Sequence, residues 1–252
     1  MRLLNQAVAF LLLSLLCFSA YGQDKVSTET FPAIALTNSI EFVDTKYDQP
    51  RFSCGFLIKH KGEEFAVTAK HLLKIIKPDK MKKLVFENYI KDWILYPLDK
   101  REQLVITDKL LNENKLEALN DQATYNEDWL LFSVKTNKSN VKPLEIRKSP
   151  LTIGEKLYVI GWTRKMEEGS QRVYEFEYYK TVGNRLLLKN IIVPEQFGGL
   201  SGAPVIDKQG LVVGIVSGGT TDPETNEKYF SPCAIEGLAK FIESLAKKQN
   251  SY

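Results

Sequence analysis

A chain of 252 residues, 44% hydrophobic and 26% charged, has enough apolar mass for one large domain or two small ones, which excludes a disordered or fibrous protein. Its net charge of +3 argues against a dedicated nucleic-acid binder, and the Lys-rich segment 70–83 reads as a solvated face. With His60 and His71 the only histidines and no CxxC or HExxH, no metal and no cofactor is expected.

In chain order the first element is an export signal. After Arg2 the run Ala7–Phe18 (AVAFLLLSLLCF) is apolar except for Ser14, and Ala20 and Gly22 put small residues three and one before Gln23. That pattern makes residues 1–22 a signal peptide cleaved after Gly22, the apolar run being short for a membrane-spanning helix. The mature chain, 23–252, is expected to be secreted or periplasmic, with no membrane association after cleavage. It retains Cys54 and Cys233, which would permit one disulfide in an oxidising compartment.

From Phe31 onward come short apolar segments separated by turn residues: SCGFLIKH, EEFAVTA, LVFENYI, QLVITD, WLLFSVK, KLYVIGW, RVYEFEYYKTVG, RLLLKNIIV, APVID and LVVGIVSG. Their length, β-branched and aromatic content and Gly or Asn breaks predict strands joined by hairpins, so the chain is all-β in class. A seam at KSPLTIGE, residues 148–155, separates two groups of strands. Segment 108–128 is polar and predicts an excursion from the sheet. Helical pattern is confined to a turn at HLLKIIK and to residues 234–248, where Ile235, Leu238, Phe241, Ile242 and Leu245 share one face.

The stretch EQFGGLSGAPVID, residues 195–207, surrounds Ser201 with Gly198, Gly199 and Gly202, which permit a tight turn with converging backbone N–H groups. A serine nucleophile needs a base that titrates near neutrality, and both histidines precede it. His60 lies in the hairpin turn IKHKG; His71 follows the apolar strand FAVTAK. The carboxylate to orient the base is best supplied by Asp128, directly before the strand WLLFSVK, with Asp121 and Glu127 as weaker neighbours. No histidine follows Ser201, which rules out the α/β-hydrolase order, and the strand-like PVID after it disfavours a subtilisin arrangement. The order His71, Asp128, Ser201 remains.

These residues resemble the chymotrypsin-like serine peptidases, and among them the bacterial trypsin-like domains related to HtrA, without a PDZ-like segment. The resemblance rests on T-A-K-H at the histidine, D-W-L-L at the aspartate and G-L-S-G-A-P at the serine, and covers most of residues 50–245. It implies two six-stranded antiparallel β-barrels, about 31–149 and 150–233, with a C-terminal helix. It makes His71, Asp128 and Ser201 the catalytic triad and the N–H groups of Gly199 and Ser201 the oxyanion hole. Ser217, Gly218 and Gly219 would pair with substrate and line the specificity pocket, and Glu195 would sit at its base and favour a basic residue before the cleaved bond. Two departures stand out: Ala203 replaces a glycine, and Leu200 replaces the Asp that pairs with a newly cut N-terminus.

The expected function is that of an exported serine endopeptidase acting on protein or peptide substrates. The alternatives are a protease-fold binding protein with little or no turnover, and an esterase using the same triad.

Overall fold

A computed structural model describes residues 27–119 and 126–249; the expected signal peptide and Asp121 lie outside the described residues. The strands are β1 (Leu36–Phe42), β2 (Gln49–His60), β3 (Glu63–Thr68), β4 (Lys83–Leu84), β5 (Ile90–Tyr96), β6 (Val105–Leu110), β7 (Asn114–Ala118) and β8 (Leu130–Asn137) in the first half. The second half has β9 (Lys156–Gly161), β10 (Arg172–Val182), β11 (Arg185–Ile192), β12 (Pro204–Ile206), β13 (Val212–Thr221) and β14 (Lys228–Ala234). Among the described residues two α-helices, α1 (Leu72–Ile76) and α2 (Glu236–Gln249), and a 3-10 turn at Thr45–Tyr47 complete it.

Strands β1, β2, β3, β8, β6 and β5 close one barrel in that order, and β10, β11, β14, β13, β12 and β9 close a second. All their pairings are antiparallel, as a chain of successive hairpins requires. β4 and β7 pair apart from both barrels, so the polar segment leaves the barrel sheet after β6 ends at Leu110, and its residues 120–125 lie outside the described residues.

Alternation along the strands explains why GFLI, FAVT and WLLF are almost continuously apolar. Leu57, Ala66, Leu130 and Phe132 point into the first barrel. Their neighbours Phe56, Ile58, Phe65, Val67 and Leu131 point the other way and join the core that fills and covers the second barrel. A strand buried on both faces has no polar face to show. The connection 138–155 seals this arrangement through parallel bridges Ile58↔Leu144 and Ile146↔Val212.

LVFENYI, expected as one strand, is instead the short β4, a turn with Asn88 at φ 68°, and the start of β5. β1 was not apparent because its inward positions include Asn38, fully buried and polar. Its amide donates to the carbonyls of Phe52 and Cys54, and its Oδ1 accepts from Trp93 Nε1, so the polar group is satisfied inside the barrel.

Helix α2 returns the chain to the first barrel. Leu238 and Ile242 are buried, and Phe241 packs on Trp129 with ring centroids 5.3 Å apart. Gly237 lies against the Glu127 carboxylate, where an added Cβ would be 2.3 Å from Glu127 Oε2 and the glutamate side chain would have to swing aside.

Candidate active site

Three elements bring the expected triad together. β3 ends at Thr68 and His71 opens α1, so the imidazole leaves the end of a rigid strand. Asp128 precedes β8, the neighbour of β3 in the barrel. Ser201 lies in the turn before β12, in the second barrel.

His71 Nδ1 is 2.7 Å from Asp128 Oδ2, and its Nε2 is 2.9 Å from Ser201 Oγ. The backbone N–H of His71 donates to Asp128 Oδ1 at 2.7 Å, and the Ser217 hydroxyl donates to Oδ2. Asp128 is fully buried. Burial by itself pushes its carboxyl up, but the hydrogen bonds and charge of His71, with the bond from Ser217, outweigh it and hold the carboxyl below its ordinary range. The group therefore stays ionised and fixes one face of the imidazole.

The nucleophile turn is clamped from both barrels. Cys54 N–H donates to the Ser201 carbonyl at 2.9 Å, and Gly202 N–H to the Val216 carbonyl at 2.8 Å. Gly202, at φ +83°, could carry no side chain: a Cβ would lie 2.2 Å from the Cys54 carbonyl oxygen and 2.4 Å from Thr68 Oγ1. Gly199, at φ +102°, is equally confined, 2.3 Å from the Arg164 nitrogen. Among the described residues the N–H groups of Gly199 and Ser201 make no hydrogen bond, while Leu200, Gly202 and Ala203 all donate within the turn or to β13. Two backbone donors of this turn are left without a protein acceptor.

Ala203 and Leu200 are both fully buried in the core. A Cβ at Gly161 would lie 3.3 Å from the Ala203 methyl and 3.2 Å from Leu200 Cδ2, so a glycine on β9 makes the room that both side chains fill.

Cys54 and Cys233 are free and buried. The Cys54 thiol lies under the Ser201 turn, donating to the Gly199 carbonyl at 3.3 Å. Burial pushes this thiol up to about 12 and that of Cys233 up to about 11. Neither is suited to nucleophilic chemistry.

Of the other expected residues, Ser217, Gly218 and Gly219 run along β13, whose pairing with β14 is irregular between Ile215 and Gly218 and resumes with Gly218 opposite Ser231 and Gly219 opposite Phe230. Glu195 lies at the surface, its side chain 57% exposed and its carboxylate 3.5 Å from Lys165 Nζ. Between segment 195–200 and β14 the space is taken by rings: Phe230 stacks on Phe176 at 4.6 Å and on Phe197 at 4.9 Å. His60 pairs with Glu63 at the β2–β3 turn, away from the triad, and Glu127 accepts from Trp129 Nε1 at 2.7 Å. Among the described residues no His, Cys, Asp and Glu cluster could hold a metal.

Sequence reasoning missed Arg185 of β11, whose Nη1 donates to Ser217 Oγ at 2.8 Å and whose Nη2 donates to the Ser231 carbonyl. It also missed Thr68, which donates to the Cys54 carbonyl at 2.6 Å beneath the nucleophile turn. Neither has a local signal, since both act on groups distant in the chain.

No curated protein matches the chain significantly. Among solved structures, one described as the structure of GrC is 18% identical with a TM-score of 0.58, covering 90% of this chain and 99% of its own. Mouse neuropsin, a serine protease expressed in the limbic system of the brain, is 16% identical with a TM-score of 0.58, covering 86% and 97%. At those identities the likeness is one of fold, the paired barrels described above. The family model described as Trypsin matches residues 37–238, from the second residue of β1 into α2, and takes in every residue of the His71, Asp128, Ser201 site. The chain belongs to the trypsin family.

Proposed function

We propose that the chain is an exported serine endopeptidase that cleaves peptide bonds through an acyl-enzyme intermediate. The observation that carries this reading is the pair of contacts on His71, 2.7 Å from Asp128 Oδ2 on one ring nitrogen and 2.9 Å from Ser201 Oγ on the other. Asp128 holds the tautomer with the proton on Nδ1, leaving Nε2 to accept.

Ser201 Oγ attacks the peptide carbonyl as its proton passes to His71 Nε2. The resulting oxyanion is taken by the N–H groups of Gly199 and Ser201. His71 then protonates the leaving amine, and a water deprotonated by the same nitrogen cleaves the ester. Substrate backbone adds to Ser217–Gly219 as an extra strand.

The T-A-K-H and G-L-S-G-A-P segments support kinship with bacterial HtrA-related domains, and the Ala7–Phe18 run supports export to a secreted or periplasmic location. No helix among the described residues is long and apolar enough to cross a membrane.

Digestion of a peptide library by the wild type and by Ser201→Ala tests the reading. The variant is expected to lose about 10⁶-fold in turnover; equal cleavage by both proteins would overturn it. Labelling of Ser201 by a fluorophosphonate without peptide cleavage would point to the esterase, and absence of labelling in folded protein to a binding role.

A further inference from the structure

A cavity of about 130 Å³ opens beside Gly199 of the nucleophile turn. Its other walls come from the first barrel, including Arg51–Ser53 of β2, and from Trp162–Arg164 after β9, and none comes from the strand that carries Ser217. The charged members of this lining are Arg51 and Arg164, with no acidic residue among them. Among the described residues neither guanidinium forms an ion pair with a carboxylate.

Both arginines are tied to the catalytic turn by backbone. Arg164 N–H donates to the Gly198 carbonyl at 2.6 Å. Arg51 stands three residues before Cys54, which bonds Ser201, so its Cα lies within about 10 Å of that bond along the strand. Between them Ser53 holds φ 55°, unusual for a residue with a side chain, and its carbonyl is fixed by Thr37 Oγ1 at 2.8 Å. The recess is therefore held in one shape relative to the scissile bond.

When the acyl half of a substrate lies along Ser217–Gly219 with its carbonyl at Gly199, the leaving half departs from that strand. It then passes over the wall on the far side of Gly199, where the recess lies. Two guanidiniums there without a carboxylate partner form a receptor for an anion. We propose that the Arg51–Arg164 recess selects substrates carrying Asp or Glu in the first two residues of the leaving fragment. This selectivity rests on the serine peptidase reading and adds a substrate class to it.

The test starts from a C-terminally amidated peptide whose cleaved bond has been located by mass spectrometry. Versions differing only in the first or only in the second residue after that bond, Asp, Ala or Lys, are compared by kcat/KM. At low salt Asp is expected to exceed Ala by about tenfold, two exposed or half-exposed charge pairs each contributing a few-fold, and the ratio is expected to shrink as salt rises. In Arg51→Gln/Arg164→Gln the ratio falls to about one, Arg51→Lys/Arg164→Lys keeps part of it, and Arg164→Glu shifts preference toward Lys. Ser201-dependent cleavage with no acidic preference, or a preference that survives in the double Gln variant, overturns the inference and leaves the peptidase reading standing.

Binding supplies an arm independent of turnover. Ser201→Ala protein titrated with the fluorescent Asp and Ala peptides is read by anisotropy. Tighter binding of the Asp peptide, lost in the Gln variants, supports the recess as an acid site even if no peptide is cleaved. Equal affinities overturn it.

Discussion

Arg185 reaches the triad through Ser217: its Nη1 donates to Ser217 Oγ at 2.8 Å, and that hydroxyl in turn donates to Asp128 Oδ2. A guanidinium only donates, so it occupies a lone pair of the serine and leaves the hydroxyl proton directed at the carboxylate. The connection spans three elements, β11, β13 and the approach to β8.

Ser217→Ala removes a charge-assisted hydrogen bond from Asp128 without altering the backbone that would pair with substrate. Such a bond contributes about 1.5–3 kcal/mol, so kcat is expected to fall by roughly 10- to 100-fold with little change in KM. Steady-state kinetics on one peptide substrate checks the split; a change confined to KM would assign Ser217 to substrate binding alone.

Asp128 also contributes to the acid sensitivity of the fold. Its pKa is depressed below the ordinary 3.8 in the native state, so its stabilising contribution is complete above that value and is lost as pH falls below it. Urea midpoints measured between pH 5 and pH 2 are expected to drop less steeply in Asp128→Asn than in the wild type, the difference opening below the ordinary 3.8. The same variant is expected to lose about 10⁴-fold in kcat, because the amide favours the wrong imidazole tautomer.

Positions 202 and 203 are expected to respond oppositely. Gly202→Ala puts a methyl into the Cys54 carbonyl at a backbone conformation that disfavours any side chain, and is expected to unfold the nucleophile turn or the whole domain. Ala203→Gly removes a buried methyl worth about 1 kcal/mol and is expected to lower Tm while leaving kcat/KM within a few-fold. A large activity gain in Ala203→Gly would mean that the methyl restrains the turn.

The thiols give a test at the alkaline end. Their folded pKa values, about 12 for Cys54 and about 11 for Cys233, lie above the ordinary 9.0. Stability from keeping them protonated is full below 9.0 and is lost as pH rises toward 11 and 12. At pH 8 a disulfide reagent is expected to modify neither residue in the folded protein and both in urea, as located by peptide mass spectrometry. Reductant is expected to leave Tm unchanged.

On the peptidase reading, the stacked Phe176, Phe197 and Phe230 are expected to bear on the residue before the cleaved bond. Phe230 lies opposite Gly219 in the β13–β14 register, and Phe197 lies four residues before Ser201. A side chain entering between β13 and segment 195–198 meets these rings rather than the Glu195 carboxylate, which pairs with Lys165 at the surface. Small residues before the cleaved bond are therefore expected to be preferred, and Phe230→Ala to raise kcat/KM for large apolar ones by about tenfold or more, at a stability cost of up to about 3 kcal/mol. An unchanged preference in that variant would place the subsite elsewhere.

Much of the scaffold could be read locally. Apolar runs such as GFLI and VVGIV, β-branched or aromatic and bounded by turn residues, point to strands, and the β2–β3 hairpin follows from Lys61-Gly62, at φ 50° and 89°, between those two strands. LVFENYI and LTNSIEF were harder. In the first a left-handed Asn88 interrupts an apolar run, and in the second a buried Asn38 interrupts the apolar alternation. The order His71, Asp128, Ser201 is legible because only two histidines exist and both precede Ser201; the place of Glu195 rests on the family resemblance, and in the structure its side chain is at the surface beside Lys165.

The sequence by itself determined the all-β class, the paired strand groups, the scarcity of histidine that singles out His71, and the glycines that let Ser201 sit in a tight turn. Only the tertiary structure decided that Arg185 backs Ser217, that Cys54 and Cys233 stay unpaired, that Gly161 accommodates Ala203, and that Arg51 and Arg164 share a recess. The division has one physical cause. Strand pattern and turn chemistry are set by residues a few positions apart, whereas each of these contacts joins residues far apart in the chain, which meet only when the barrels close and pack against each other.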